Sequence, residues 1–173
     1  MNSPKKPIYS WDACVFLAWL KGDACHPLAD IERVLNQVEN DRALLTVSVS
    51  AYAEILCGDL PSQAADDLLK FLRHPNVTLL DVNMSIASKA ASMRNAGLHG
   101  NPKRSLKLPD AYVIANAILT NSHVLHTVDD ALLKLSGLPI VDGLAITKPQ
   151  DISGQTILFS PSDTTASPPP SSQ

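Results

Sequence analysis

Short apolar, β-branched segments alternate with amphipathic segments along most of the chain, and this alternation restricts the possible fold more than any other feature. Leu44–Val49 is the clearest of the short segments, because its continuous apolar character suits a strand that is buried on both faces. The connections between the segments are too short to hold separate domains. Strands and helices in alternation predict an α/β protein, with a parallel sheet that helices cover on both faces.

The predicted elements fill the chain from Ile8 to Val141. Gly97 is expected to end the helix that begins at Met84, and residues 98–107 are expected to form a polar loop. The predicted strands are Ile8–Trp11, Leu44–Val49, Val77–Val82, His123–Val128 and a last short one at Pro139–Val141. The predicted helices are Ala13–Leu20, Pro27–Asp41, Ser50–Cys57, Pro61–His74, Met84–Ala96, Leu108–Leu119 and Asp130–Leu135.

Residues 1–152 are expected to form one domain, and residues 153–173 a disordered tail. The hydrophobic fraction of 45% is ordinary for a globular protein, so the domain can bury a real core. From Ser160 onwards Pro, Ser and Thr predominate, and no apolar period remains. Such a segment cannot bury enough apolar surface to offset the entropy lost on ordering it.

The remaining composition predicts a cytoplasmic protein without a membrane segment. The net charge of −3 argues against a protein that coats nucleic acid non-specifically, although it is compatible with a local basic patch. Cys14, Cys25 and Cys57 match no metal-binding spacing, so we expect buried, reduced thiols. The sequence has no apolar run near the ~20 residues that span a bilayer, and its first residues do not resemble a signal peptide.

Carboxylates stand at places that a parallel sheet brings together. Asp12 directly follows the first predicted strand, Asp129 follows the fourth, and Asp110 lies at the start of the helix Leu108–Leu119. If the first and fourth strands are neighbours, these side chains share the edge of the sheet where open α/β proteins bind ligands. Glu54 lies about one turn into the helix after the second strand, and its longer side chain can reach the same edge.

Each of these acids alone also has an ordinary explanation. Asp12 and Asp129 suit helix N-caps, Asp110 suits the positive end of a helix dipole, and Glu54 suits an exposed helix position. As a group, however, they would repel one another unless a cation lay between them. Oxygen ligands without Cys or His favour Mg²⁺ or Mn²⁺, which in such sites usually serve phosphoryl transfer or phosphodiester hydrolysis.

In their order and spacing, the segments around these acids resemble the PIN domain family, and within it the VapC-type toxin ribonucleases of toxin–antitoxin pairs. The resemblance covers roughly residues 8–152. Ile146–Ile152 also resembles the Thr/Asn-Pro-acid segment that closes the family's domain. The other segments that carry the resemblance are Tyr9–Ala18, Val47–Leu56, Asp110–Ala117 and Leu125–Asp129.

The resemblance implies a three-layer α/β/α sandwich with a central, mostly parallel sheet. It also implies a ribonuclease that uses Mg²⁺ or Mn²⁺ to cleave single-stranded or loop RNA, forms a homodimer and binds an antitoxin encoded alongside it. The implied catalytic acids are Asp12, Glu54, Asp110 and Asp129. The implied metal ligands among them are Asp12, Asp110 and Asp129, with Thr127 as a supporting hydroxyl.

Two positions affect how this resemblance is applied. Ala13 follows Asp12, whereas the family commonly has Ser or Thr there, so a hydroxyl near the metal is missing and metal binding would be weaker. Asp130 competes with Asp129 for the last acidic position. Asp129 is preferred because it stands two residues after Thr127, as in the family pattern.

Basic residues are concentrated in the loop before Asp110. Lys103, Arg104 and Lys107 lie in this loop, and Arg94 and His99 precede it. On a chain of net negative charge, such a local excess predicts contacts with the RNA backbone, since phosphate contacts supply much of the affinity for nucleic acids. A solvated loop without a partner would show the same composition.

Other functions fit parts of the same pattern. A PIN-fold RNA-processing nuclease without an antitoxin would have the same acids, and Ala13 is compatible with a binding module that has lost its chemistry. A receiver-like signalling domain is also a doubly wound sheet with aspartates at strand ends. It would need an acidic pair after the first strand, where this chain has Asp12 alone, and its only candidate phosphoacceptor here is Asp81.

Overall fold

The computed structural model describes residues 5–24 and 26–150, and a parallel sheet runs through its centre. The strands follow the order β3-β2-β1-β4-β5, and every neighbouring pair is parallel. The strands are β1 (Ile8–Trp11), β2 (Leu44–Ser48), β3 (Val77–Leu80), β4 (Val124–His126) and β5 (Ile146–Thr147).

Helices flank this sheet and confirm the predicted α/β fold. Their residues fall close to the predicted ranges, and their buried apolar side chains pack into the common core. The helices are α1 (Ala13–Lys21), α2 (Leu28–Glu39), α3 (Val49–Leu56), α4 (Ser62–Leu72), α5 (Met84–His99), α6 (Leu108–Leu119) and α7 (Asp130–Leu133). Within the described residues, no helix has the length and apolar character needed to cross a membrane.

The order in which the chain adds strands to the sheet reverses between β1 and β4. From β1 the chain builds outwards through β2 and β3, and it then returns to the other side of β1 to form β4 and β5. The first and fourth strands are therefore neighbours, as the placement of the acids required. Their carboxyl ends form the switch point of the sheet, which is the usual ligand site in open α/β folds.

Buried aromatic side chains fix β1 against β4 just below this edge. The indole N–H of Trp11 donates to Nδ1 of His126 at 3.0 Å, and the ring of Tyr9 stacks on the same imidazole. Burial lowers the pKa of His126 to about 3, so the ring is neutral and structural. The Nδ1 atom of His123 likewise accepts from the backbone N–H of Ile8 at 2.9 Å, which agrees with a structural role.

Two predicted elements are wrong in their details. Residues Pro139–Val141 form a 3₁₀ turn and not a strand, because Pro139 has no N–H for a ladder and the chain reverses at Asp142 with a φ of 52°. The last strand is β5. The helix α5 also continues through Gly97 to His99.

The role of Gly97 is to let the basic loop approach α5. A Cβ atom at this position would lie 2.6 Å from the carbonyl oxygen of Arg104. The Arg104 N–H donates to the Gly97 carbonyl at 2.8 Å, and the Arg94 side chain donates to the Leu106 carbonyl at 2.9 Å. These contacts fasten the loop that leads to α6.

The predicted tail, residues 153–173, lies outside the described residues, as does the end of the Ile146–Ile152 segment. The domain boundary at residue 152 therefore stays a prediction. Within the described part, Ile146 and Thr147 of that segment pair with β4.

Candidate active site at the carboxyl ends of the strands

A cleft of about 510 Å³ opens at the switch point between β1 and β4. The structure brings all four predicted acids to this cleft. Each comes from a different segment: the end of β1, the helix α3, the first turn of α6 and the turn after β4. The charged residues that line the cleft are Asp12, Glu54, Lys107, Asp110 and Asp129.

Asp12 is the most firmly held of the acids, and only 5% of it is exposed. It is the N-cap of α1, and its Oδ1 atom accepts from the backbone N–H of Ala13 at 2.8 Å. Its Oδ2 atom accepts from the Thr127 hydroxyl at 2.9 Å and from the Cys14 thiol at 2.9 Å. Its position is therefore set by both β1 and the turn after β4.

Asp129 lies at the opposite side of the switch point, in the turn between β4 and α7. Its backbone N–H donates to the Thr127 hydroxyl at 3.0 Å, so Thr127 contacts both Asp12 and Asp129. Its Oδ1 atom accepts from the Ala131 N–H at 2.6 Å and caps α7. The neighbouring Asp130 is exposed and lies outside the lining of the cleft.

The electrostatics of Glu54 and Asp110 show that the acids act on one another. Burial raises the pKa of Glu54, and the charges of Asp12 and Asp110 raise it further. Burial and the charge of Asp12 raise the pKa of Asp110, with a smaller effect from Asp129. Lys107 opposes both shifts. The cleft thus concentrates negative charge that a bound cation would relieve.

The predicted basic residues fall into two groups. Lys107 lines the cleft directly, at the N-cap position of α6. Lys103 is exposed on the loop before it, and Arg104 is half-buried there. Arg94 is engaged with the Leu106 carbonyl, so its first role is to hold the loop. Of the predicted RNA-binding residues, Lys107 is the one that lines the cleft.

Cys14 is the residue of this site that sequence reasoning missed. It lies one position after Ala13, is half-buried, and contacts Asp12, Thr127 and the Val128 N–H. Burial and the charge of Asp12 raise the pKa of the thiol to about 12, so it stays protonated and can donate. A polar residue beside the first acid was a usable signal, but its apolar surroundings favoured a buried thiol. Cys57, also expected to be buried, is exposed.

The carboxylate oxygens of the cleft suit a hard divalent cation, although they do not surround a metal position on all sides. Within residues 5–24 and 26–150, no three His, Cys, Asp or Glu side chains are grouped so that they could hold a metal ion as they stand. Mg²⁺ usually keeps several waters and is bound through only one or two carboxylates, with substrate phosphates completing its shell. The oxygen-only acids and their mutual repulsion fit that mode of binding.

The same fold occurs in solved toxin–antitoxin structures. VapBC2 from Rickettsia felis, bound to a DNA fragment from its promoter, matches with a TM-score of 0.60 and 15% identity over 80% of this chain and 96% of that one. A toxin–antitoxin complex from Klebsiella pneumoniae matches with a TM-score of 0.55 and 17% identity over 83% and 99% of the two chains. FitAcB from Neisseria gonorrhoeae matches with a TM-score of 0.54 and 18% identity over 82% and 97%.

The sequence itself matches a family model. No curated protein matches the chain at a significant level. The model of the PIN domain matches residues 9–138, a range that begins just before Asp12 and includes the other three acids. Because this match spans well over half of the chain, the protein belongs to the PIN domain family.

Proposed function

We propose that this protein is a metal-dependent endoribonuclease that hydrolyses RNA phosphodiester bonds in the acidic cleft. The observation that carries this proposal is the convergence of four carboxylates from separate segments on one cleft, with Lys107 beside them. PIN domains are typically metal-dependent nucleases, which supports the reaction class. The cleft and the basic loop beside it suit a large phosphate-bearing substrate.

We assign the residues of the cleft as follows. Asp12, Asp110 and Asp129 would hold Mg²⁺ or Mn²⁺, and Thr127 would support Asp12 and Asp129. When bound, the cation would polarise the phosphate and lower the pKa of the attacking water. Glu54, whose pKa burial and the neighbouring acids raise above its ordinary value, would accept the proton of that water. The ammonium group of Lys107 would pair with a phosphate oxygen.

We further propose that the protein is the toxin of a toxin–antitoxin pair and forms a homodimer. The three solved structures compared above come from toxin–antitoxin systems, which supports an antitoxin partner for this chain. An RNA-processing role without an antitoxin is the alternative. Co-purification of the chain with the product of a small neighbouring gene, and inhibition of cleavage by that product, would distinguish the two.

End-group analysis of cleaved RNA tests the reaction class. Hydrolysis by an activated water is expected to give new 5′-phosphate and 3′-hydroxyl ends on single-stranded RNA, in Mg²⁺ or Mn²⁺. Products that carry a 2′,3′-cyclic phosphate would contradict the proposal, because they arise when the RNA's own 2′-hydroxyl attacks. A catalytically inactive binding module would retain RNA without producing new ends.

The pair Asp129 and Asp130 offers a matched test of the last acid. Asp129→Asn is expected to lower RNA cleavage by about ten-fold or more, because a cleft-lining carboxylate is lost while an amide can still cap α7. Asp130→Asn removes the same charge one residue away and should leave the rate within about two-fold, since Asp130 is exposed. Equal losses in both variants would contradict the assignment of Asp129.

The basic residues are expected to separate into backbone contacts and a cleft contact. Lys103→Ala combined with Arg104→Ala should weaken RNA binding and flatten its salt dependence, by a slope of about 0.7 for each lost contact with a single strand. Lys107→Ala should weaken RNA binding as well. It should strengthen Mn²⁺ binding, because it removes the positive side chain that interacts with Glu54 and Asp110 and would repel the metal ion. Filter binding over a salt series and calorimetric Mn²⁺ titration measure the two effects.

Lys107→Arg is the control for charge in that comparison, since it keeps a cation at the cleft. The assignment of Lys107 would be contradicted if Lys107→Ala left Mn²⁺ affinity unchanged or weakened it. A second contradicting result is an RNA affinity that stays constant across the salt series in both the Lys103/Arg104 variant and the unmodified protein. That result would exclude the proposed contacts of Lys103 and Arg104 with the RNA backbone.

A further inference from the structure

Cys14 makes more polar contacts with the candidate site than any simple packing role requires. Its sulfur lies 2.9 Å from Oδ2 of Asp12 and 3.2 Å from the Thr127 hydroxyl. It also accepts from the backbone N–H of Val128 at 3.3 Å. The thiol therefore joins the first turn of α1 to the turn after β4, which are the two segments that carry Asp12 and Asp129.

The hydrogens around Asp12 can be assigned one by one. The Cys14 thiol and the Thr127 hydroxyl each carry one hydrogen, and both can donate to Oδ2 of Asp12. The Ala13 N–H donates to Oδ1. A carboxylate offers about four acceptor positions, two on each oxygen. Oδ2 is therefore fully used by the protein, and Oδ1 keeps one position for a ligand.

The Thr127 hydroxyl and the Cys14 sulfur also accept hydrogen bonds from the turn after β4. The Thr127 hydroxyl accepts from the Asp129 N–H, and the Cys14 sulfur accepts from the Val128 N–H. Each group thus both donates and accepts, and the turn that presents Asp129 is tied to the carboxylate of Asp12. A donor at position 14 is needed to complete the arrangement, whereas a methyl group would leave Oδ2 with a single donor.

We propose that Cys14 is a positioning residue of the metal site: its thiol fixes the Asp12 carboxylate so that Oδ1 is the oxygen offered to the cation. This inference rests on the proposed metal-dependent function, and it adds a residue that acts through Asp12 and not on the substrate. The donor is what matters, so a hydroxyl should serve in place of the thiol.

Calorimetric titration of the metal-free full chain with Mn²⁺ tests the role of Cys14 without any substrate. Cys14→Ala is expected to weaken Mn²⁺ binding about ten-fold, the effect typical of lost support to a metal ligand. Cys14→Ser keeps a donor and should bind within about three-fold of the unmodified protein. Cys57→Ala removes an exposed thiol at the same cleft and should bind Mn²⁺ normally.

A second readout separates positioning from a general loss of folding. Thermal unfolding in EDTA should give Cys14→Ala and Cys14→Ser similar midpoints. Cleavage by Cys14→Ala should recover when Mn²⁺ is raised about ten-fold, which cannot happen if the variant is misfolded. The inference would be overturned if Cys14→Ala bound Mn²⁺ as tightly as the unmodified protein, or if Cys14→Ser bound as weakly as Cys14→Ala.

The design also separates this inference from the proposed function on which it rests. If the unmodified protein bound no Mn²⁺ at all, the metal-dependent function itself would fail, and the role of Cys14 with it. If the unmodified protein bound Mn²⁺ and cleaved RNA, and all three variants did so equally, only the role of Cys14 would fail.

Discussion

Replacing Asp110 with Asn is expected to lower kcat/KM for RNA cleavage by about 100-fold or more while the protein stays folded. Asn keeps the size of the side chain but removes the charge that would bind the cation. Asp110 lies in the first turn of α6, and the charges of Asp12 and Asp129 both act on it. Steady-state cleavage of a labelled single-stranded RNA, with circular dichroism as the folding check, measures the effect.

The matched control for this variant is Asp66→Asn. Asp66 is exposed on α4 and lies outside the cleft, so the same substitution there should leave cleavage within about two-fold. Cleavage that survived Asp110→Asn at near-normal rates would show that the acidic cleft is not the site of hydrolysis.

Binding of Mn²⁺ is expected to stabilise the protein strongly, and increasingly as pH rises. At a Mn²⁺ concentration of about 100 times Kd, a ligand specific for the folded state adds about 2.7 kcal/mol to the free energy of unfolding. In a domain of this size that corresponds to about 5–10 °C in Tm. Asp110→Asn should abolish most of this gain, and thermal unfolding with and without Mn²⁺ measures it.

The pH dependence follows from the raised pKa values of Glu54 and Asp110. The ordinary value for the Asp110 carboxyl is 3.8, and its pKa in the folded protein lies above it. The folded state therefore binds its proton more tightly than the unfolded state. The contribution of this group to the stability of the metal-free protein falls as pH rises from about 4 through the raised pKa.

Stabilisation of the protein by bound Mn²⁺ has the opposite pH dependence, since the metal ion binds the ionised carboxylates. Mn²⁺ stabilisation should be small when Glu54 and Asp110 are protonated and should grow as pH rises through their pKa values. In EDTA at neutral pH, Asp110→Asn should raise Tm, because a half-buried charge that neighbouring carboxylates repel is removed. A metal-free Asp110→Asn protein that was clearly less stable at neutral pH would contradict this account of the cleft.

The parallel fold could be predicted because it follows from sequence periodicity, whereas the meeting of the acids could be predicted only on the condition that the first and fourth strands are neighbours. A continuous apolar run such as Leu44–Val49 has few ways to be buried other than as a central strand. Once β1 and β4 are neighbours, residues directly after them must share one edge. The positions of Asp12 and Asp129 thus depend on the strand order, which the alternation of elements leaves open and the structure supplies.

The features that could not be predicted depend on contacts between distant segments. Gly97 is a residue type that often ends helices, but here it lies within α5, and its lack of a side chain lets the Arg104 carbonyl pack against the helix. Pro139–Val141 is apolar enough for a strand, yet the backbone reversal at Asp142 excludes it. The contact of Cys14 with Thr127 could not be predicted either, because it depends on the turn after β4 lying beside the first turn of α1.

The most direct test of a metal-dependent ribonuclease site in the acidic cleft is RNA cleavage by the purified chain. Cleavage is measured in Mn²⁺, in EDTA, and in EDTA followed by excess Mn²⁺. The substrate is a broad pool of single-stranded RNA, and the Asp110→Asn protein is run beside the unmodified one. A metal-dependent site should give cleavage in Mn²⁺, its loss in EDTA and its recovery on re-addition, in the unmodified protein alone. Cleavage that persisted in EDTA, or that Asp110→Asn retained, would contradict a metal-dependent ribonuclease site in this cleft.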